Sequence, residues 1–317
     1  MSRKDSITKE YIEQPDRFAD LFNGFCFRGE ERLHPEYLRD MDTASIALPY
    51  GADGAVLPEQ KARDVLKMLL KTDGKAAYCI LGVENQAEIH TAMPIRNMLY
   101  DAITLTEQVA SATRSHKVAH NHGNDKAEFL SGLHRHDKIL PVITIVVHWN
   151  AEAWDAPLSI REMYPDWMDD SLLKYVADYR INLVSPALMT DSELNIFKSD
   201  LKSVLKFIKY SNNKDELSKL INDNKDFMNL DRLTAQTISI CSNVDFNIPV
   251  GEETVNVCKA IEDMKEAARN EERNNGMLKL LGVIKKFNSS KDTAAHELSE
   301  AYSISSEEAI AFVNSHW

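Results

Sequence analysis

Apolar positions along the chain recur with two different periods. Phe18, Leu21, Phe22 and Phe25 follow at steps of three, one and three, so the spacing predicts a core-facing helix over 16–27, after a short helical segment that ends at Pro15. An acidic, proline-containing link over 30–42 leads to a short apolar stretch, 44–48, and then to the breakers Gly51, Gly54 and Pro58. Two apolar runs follow, 62–70 and 76–86, separated by Thr72-Asp73-Gly74-Lys75. Asp-Gly between apolar runs is a strong hairpin signal. The second run is nearly continuous, as in a strand covered on both faces, while the first fits a strand or a helix. Ile95, Met98, Leu99, Ala102, Ile103 and Leu105 return to helical spacing over 94–112 and predict a helix packed on the sheet. The run 139–149 reads as a buried strand, with Pro141 tolerable near its start, and 181–184 as a short one.

Helical patterns then dominate: 192–210, with Leu194, Phe197, Leu201, Val204, Leu205 and Ile208 as its core stripe, then 215–223, 230–242 and 252–270. From Gly276 onward three short helices are expected, the last one capped by Ser305 and opening on Glu307 and Glu308. Strands first and helices last predict an α/β domain over 1–212 and a helical C-terminal region over 213–317.

Composition narrows the class. The 317 residues are 44 % hydrophobic and 27 % charged, which excludes disorder and fits a soluble globular protein. The apolar run at 139–149 is interrupted by Pro141 and His148 and falls well short of the ~20 residues that cross a bilayer, so no membrane span is expected. Charges interrupt 1–15 throughout, which does not suit a secretory signal, and a cytoplasmic location is expected. Cys26, Cys79, Cys241 and Cys258 are scattered, as for reduced thiols rather than a disulfide framework or thiolate zinc site. The net charge of −12 opposes a polyanionic partner, yet residues 1–150 hold 18 basic and 21 acidic side chains and contribute only −3 of it. A nearly neutral first half leaves room for a local basic face or an acidic metal site.

Asp64, Glu84 and Gln86 carry the candidate chemistry. With a three-residue loop at Asp73-Gly74-Lys75, positions summing to 148 oppose each other and Asp64 faces Glu84; a two-residue Asp-Gly turn would set Asp64 against Val83 instead. Glu84 and Gln86 share a face whichever turn forms. Opposed acids repel across a strand pair, and a divalent cation removes that penalty. Oxygen ligands suit Mg²⁺ or Ca²⁺, with Asp64, Glu84, the backbone carbonyl of Asn85 and waters as the expected coordination.

An Asp, about twenty residues, and a strand ending Glu-x-Gln resembles the active-site signature of the PD-(D/E)XK nuclease superfamily. Arg63-Asp64-Val65, Asp73-Gly74, Leu81-Gly82-Val83-Glu84-Asn85-Gln86, Ala92-Met93-Pro94-Ile95-Arg96 and Tyr100-Asp101 resemble more closely the recombination-promoting nuclease family, also described as putative transposases. Further matches are Arg17-Phe18-Ala19-Asp20-Leu21-Phe22-Asn23, Pro141-Val142-Ile143-Thr144, Val147-His148-Trp149 with Trp154-Asp155, Tyr179-Arg180-Ile181-Asn182-Leu183 and Phe207-Ile208-Lys209-Tyr210-Ser211, so the resemblance spans roughly 4–270. It implies a restriction-endonuclease-like core, a mixed central sheet flanked by helices. The implied activity is metal-dependent hydrolysis of double-stranded DNA, leaving 5′-phosphate and 3′-hydroxyl ends, in DNA recombination, mobile elements or defence against foreign DNA. Gln86 stands where the wider superfamily has Lys; an amide can hold a water but cannot take its proton, so the metal must do more. The tail after Asn270 lacks the Glu-Gly spacing common among relatives, and self-association through the helical region stays open.

Lesser signals have their own readings. Asp20 is a further acid on the first core helix and Arg96 a phosphate-binding candidate; each also fits an ordinary surface ion pair. His116, His120, His122, His134 and His136 lie in a polar connection with Arg114, Lys117, Lys126, Arg135 and Lys138, which reads as a solvated loop or a contact to DNA backbone before a zinc site. His148 ends the central strand, where ligand clefts form, and Trp149 beside it suits the core. Two competitors to the nuclease follow: a catalytically inactive DNA- or protein-binding module on the same fold, and a histidine-ligated zinc hydrolase.

Overall fold

The computed structural model describes residues 2–42, 63–71, 77–121, 126–248, 251–287 and 289–317. The stretch 44–48, the breakers Gly51, Gly54 and Pro58, the turn Thr72-Asp73-Gly74-Lys75 and His122 lie outside the described residues. Helices α1 (Arg3–Glu13) and α2 (Pro15–Phe27) meet at Gln14, with Ser2 capping α1 and Pro15 opening α2, where its missing N–H costs nothing. Phe18, Leu21 and Phe22 are buried as the spacing predicts, whereas Phe25 falls on the exposed side.

Strands β1 (Leu38–Asp40), β2 (Val65–Leu70) and β3 (Ala77–Gln86) form an antiparallel run. The ambiguous first run is therefore a strand. Every pair from Val65↔Val83 to Leu69↔Cys79 sums to 148, the register that sets Asp64 against Glu84, and an irregularity between Leu69 and Leu70 absorbs the offset toward the turn. Helix α3 (Met93–Val118), about 39 Å long at 1.5 Å per residue, and the short α4 (Lys126–Ser131) carry the chain to β4 (Val142–His148). β4 pairs with β3 in parallel, and after α5 (Asp170–Leu173) β5 (Asn182–Val184) adds to β4 in parallel. The sheet is thus mixed, in the order β1-β2-β3-β4-β5, with β3 at its centre. From Cys79 to Gln86 every residue of β3 is buried, which is why Cys79–Val83 is apolar, while Glu84, Asn85 and Gln86 are buried polar groups.

The helical pattern at 192–210 resolves into two pieces, α6 (Asp191–Leu194) and α7 (Leu201–Tyr210). The break has a local cause: the Asp20 carboxylate of α2 accepts the backbone N–H groups of Lys198 (3.0 Å) and Ser199 (2.8 Å) and the Ser199 hydroxyl (2.6 Å), which fixes a turn there. Helix α8 (Lys214–Asp223), strand β6 (Leu230–Asp231), helix α9 (Arg232–Ser242) and strand β7 (Thr254–Val255) follow, with β6 and β7 paired. The buried Arg17 of α2 binds Asp231 and, at 3.0 Å, the Thr234 hydroxyl, and α9 packs on α1 and α7. The chain accordingly divides later than the expected 212/213 boundary: one unit is Met1–Asp245 with Gly251–Val255, the other Phe246–Val250 with Asn256–Trp317.

In the second unit α10 (Val257–Lys286) runs through Gly276, the expected start of the tail helices, and is followed by α11 (Lys291–Tyr302) and α12 (Ser306–His316). Gly276 faces Tyr302, whose hydroxyl would lie 2.4 Å from a Cβ at this position. Met277, Leu281, Ile284, Ala294, Leu298, Ala309 and Val313 form the core of these helices, and Ser305 caps α12 through Glu308 N–H as expected. No helix among the described residues is long and apolar enough to cross a membrane.

Candidate metal centre

Asp64 lies in a bend directly before β2, one pair beyond Val65↔Val83, and its Oδ2 accepts the backbone N–H of Asn85 at 2.7 Å. Glu84 sits opposite on the central strand and is 0 % exposed. Neither of its carboxylate oxygens has a hydrogen-bond partner among the described residues. Its ion-pair partner is Arg96, in the first turn of α3, whose Nη2 stands 3.7 Å from Glu84 Oε2 and whose Nε donates to the Tyr100 hydroxyl at 3.2 Å. Burial, then the Asp64 charge, push the Glu84 carboxyl up to about 8. Burial also raises Asp64, against the lowering pull of the Asn85 N–H and Arg96.

The neighbours of this pair are fixed by strand alternation. Gln86 shares the Glu84 face and donates from Nε2 to the Asn85 carbonyl at 3.0 Å. Asn85 turns its side chain to the other face, where Oδ1 accepts the Trp149 indole N–H at 2.8 Å, and Trp149 packs edge-on to Tyr11 in the core. His148 pairs in register with Gln86; it is fully buried, its Nε2 has no partner among the described residues, and burial lowers it to about 4, so it is neutral at pH 7.

Beside Glu84 the same face carries a buried polar network. Arg63 donates to Thr144 Oγ1 and to Asp101 Oδ1, each at 2.5 Å; Thr144 donates to Asp101 at 2.7 Å, Tyr179 to Asp101 Oδ2 at 2.5 Å and Asn97 to Tyr179 at 2.7 Å. The Arg63 guanidinium lies over Gly82, where a Cβ would come within 2.2 Å of its Nη1. Glycine is the only residue that lets a strand and a guanidinium approach so closely. Asp101 thus pairs with Arg63. The sequence holds one sign of this network: Gly82 interrupts the apolar run from Cys79 to Val83.

The structure brings Asp64, Glu84, Asn85, Gln86 and Arg96 together. It does not bring Asp20 to them: that carboxylate is taken up by Lys198 and Ser199. The donor set that remains for a cation is hard oxygen throughout: the two Glu84 oxygens, Asp64, and the second lone pair of the Asn85 carbonyl.

A protein-family model matches residues 59–238, more than half of the chain, from just before Asp64 to the middle of α9. The chain belongs to that family, described as "Putative transposase, YhgA-like". It corresponds to the recombination-promoting nuclease family that the sequence resembles. Comparison with curated proteins and with solved structures gives no match. The YhgA-like match takes in Asp64, Glu84, Gln86, Arg96 and the Arg63–Asp101 pair.

Proposed function

We propose that this chain is a divalent-metal-dependent endonuclease that hydrolyses phosphodiester bonds of double-stranded DNA on a PD-(D/E)XK-like core. The observation that carries the reading is the Glu84 carboxylate: buried, without a hydrogen bond among the described residues, and opposed by Asp64, with Arg96 as its ion-pair partner at 3.7 Å. Buried charges are ordinarily paired or ligate a metal. Asp64, Glu84 and the Asn85 carbonyl would hold Mg²⁺ or Ca²⁺. When bound, the ion supplies Lewis-acid stabilisation of charge developing on the phosphate and acidifies the attacking water. Gln86, anchored through its Nε2, keeps its amide oxygen as an acceptor that orients a water. Arg96, about one-third exposed, offers donors to a phosphate oxygen. Membership of a transposase family supports DNA as the substrate and a part in recombination or mobile elements.

A second reading, an inactive DNA-binding module, draws on the same burial: a Glu84 held protonated at neutral pH needs no metal. Plasmid nicking across a series of divalent ions separates the two. The nuclease reading expects Mg²⁺-supported nicking that falls by about 100-fold or more in Asp64→Ala and Glu84→Ala, with circular dichroism unchanged. Full activity in Asp64→Ala removes these residues from the mechanism, and a DNA mobility shift without cutting under any ion establishes the second reading.

A further inference from the structure

The connection between α3 and β4 holds a group of side chains that the Asp64–Glu84 centre does not use. His116, in the last turn of α3, and His134 and Asp137, in the turn after α4, each offer one ligand atom, and all three atoms lie within 4.8 Å of one another. The backbone builds this grouping. Gly132, at φ +68°, folds the segment back on α3, where its carbonyl accepts the Thr113 hydroxyl at 3.2 Å. A Cβ there would come within 2.5 Å of the Thr113 methyl. Asp137 Oδ2 accepts both the His134 backbone N–H (2.7 Å) and His116 Nε2 (2.8 Å). His134 is only 3 % exposed, and its Nδ1 has no hydrogen-bond partner among the described residues. Its ring lies on that of His116, centroids 3.6 Å apart and planes at 17°.

We propose that His116, His134 and Asp137 form a second metal site, which takes one transition-metal ion of the zinc class and ties the end of α3 to the segment entering β4. Two imidazoles and one carboxylate are a borderline donor set, unlike the all-oxygen set at Glu84, and select Zn²⁺ over Mg²⁺ or Ca²⁺. Tetrahedral zinc with ligand bonds of about 2.0–2.1 Å spaces its donors by roughly 3.3 Å, so side-chain rotation closes the present triangle. Imidazole lone pairs lie in the ring plane, so two stacked parallel rings cannot both point at one ion. One ring therefore turns on binding, and the His116–Asp137 hydrogen bond gives way to two metal bonds. Three protein donors leave a fourth position for water.

The test is a Zn²⁺ and Co²⁺ titration of the metal-free full chain carrying Asp64→Asn and Glu84→Gln, which silence the other centre. One Zn²⁺ per chain is expected, with the visible bands of four-coordinate Co²⁺ and their displacement by Zn²⁺. His134→Gln and Asp137→Asn are each expected to weaken zinc binding about 100-fold and to abolish the Co²⁺ bands. His116→Gln, on a helix surface, is expected to do the same and serves where another variant loses its circular dichroism. Absence of zinc binding in this background, or an affinity and Co²⁺ spectrum unchanged by His116→Gln, overturns the proposal.

Discussion

Replacing Glu84 by Gln is expected to raise the stability of the metal-free protein at alkaline pH. A carboxyl at about 8 in the folded chain against 4.5 ordinarily binds its proton more tightly when folded. The stability this gives is fully present below pH 4.5 and is lost as pH rises through about 8. At about 1.36 kcal/mol per unit, the loss is about 3 kcal/mol by pH 7 and just under 5 kcal/mol by pH 9. Gln keeps the shape and removes the titration, while a buried amide with unmade hydrogen bonds costs about 1–3 kcal/mol at every pH. Glu84→Gln should therefore be the less stable protein at pH 5 and the more stable by about 2–4 kcal/mol at pH 9, measured in chelator by urea denaturation. His148 titrates in the opposite sense, its contribution being present above 6.5 and lost as pH falls through about 4, but it is common to both proteins and cancels in the difference. Saturating Mg²⁺ should restore wild-type stability at pH 9 and leave Glu84→Gln unmoved. A difference between the two proteins that stays flat from pH 5 to 9 would refute the reasoning, because Glu84 would then ionise as freely folded as unfolded.

Two further substitutions probe the surroundings. Gly82→Ala sets a methyl 2.2 Å from an Arg63 guanidinium already held by Thr144 and Asp101; displacing that buried ion should cost about 3–5 kcal/mol in urea denaturation and reduce nicking with it. Asp20→Ala leaves the Lys198 and Ser199 N–H groups without their acceptor, so a loss of about 1–3 kcal/mol is expected, with nicking per folded molecule unchanged. Loss of nicking with stability intact would return Asp20 to the active centre.

The centre was legible because strand pairing is arithmetic. Once Val65–Leu70 is a strand, only two registers compete, and the irregularity between Leu69 and Leu70 gives the one summing to 148, in which Asp64 meets Glu84. Alternation alone then sends Gln86 to the Glu84 face and Asn85 toward Trp149. What stayed hidden depends on contacts far apart in sequence. The break between α6 and α7 is made by Asp20, and periodicity over 192–210 cannot register a carboxylate from another helix. Gly276 punctuates the sequence like a helix start, yet α10 runs straight through it, facing Tyr302 of the next helix. The extra reach of the first unit rests on Arg17 meeting Asp231 and Thr234, a pairing that no local pattern announces.

Charge balance explains why the two polar groups beside β3 behave differently. Arg63 and Asp101 balance each other's charge in a network with the Thr144 and Tyr179 hydroxyls and the Asn97 amide. Arg96, 3.7 Å from Glu84, acts on both Asp64 and Glu84, while Arg63 acts on Glu84 from its pair with Asp101; counted with Arg96 alone, the two carboxylates keep one negative charge. A proton on Glu84 cancels it and leaves a neutral site indifferent to phosphate. A divalent ion reverses it, and a site of net positive charge on the Arg96 side is one that draws a phosphate in. On the proposed nuclease reading, the shortage of counter-charge at Glu84, beside the balanced Arg63–Asp101 pair, is what a cation and an anionic substrate would make good in the same place.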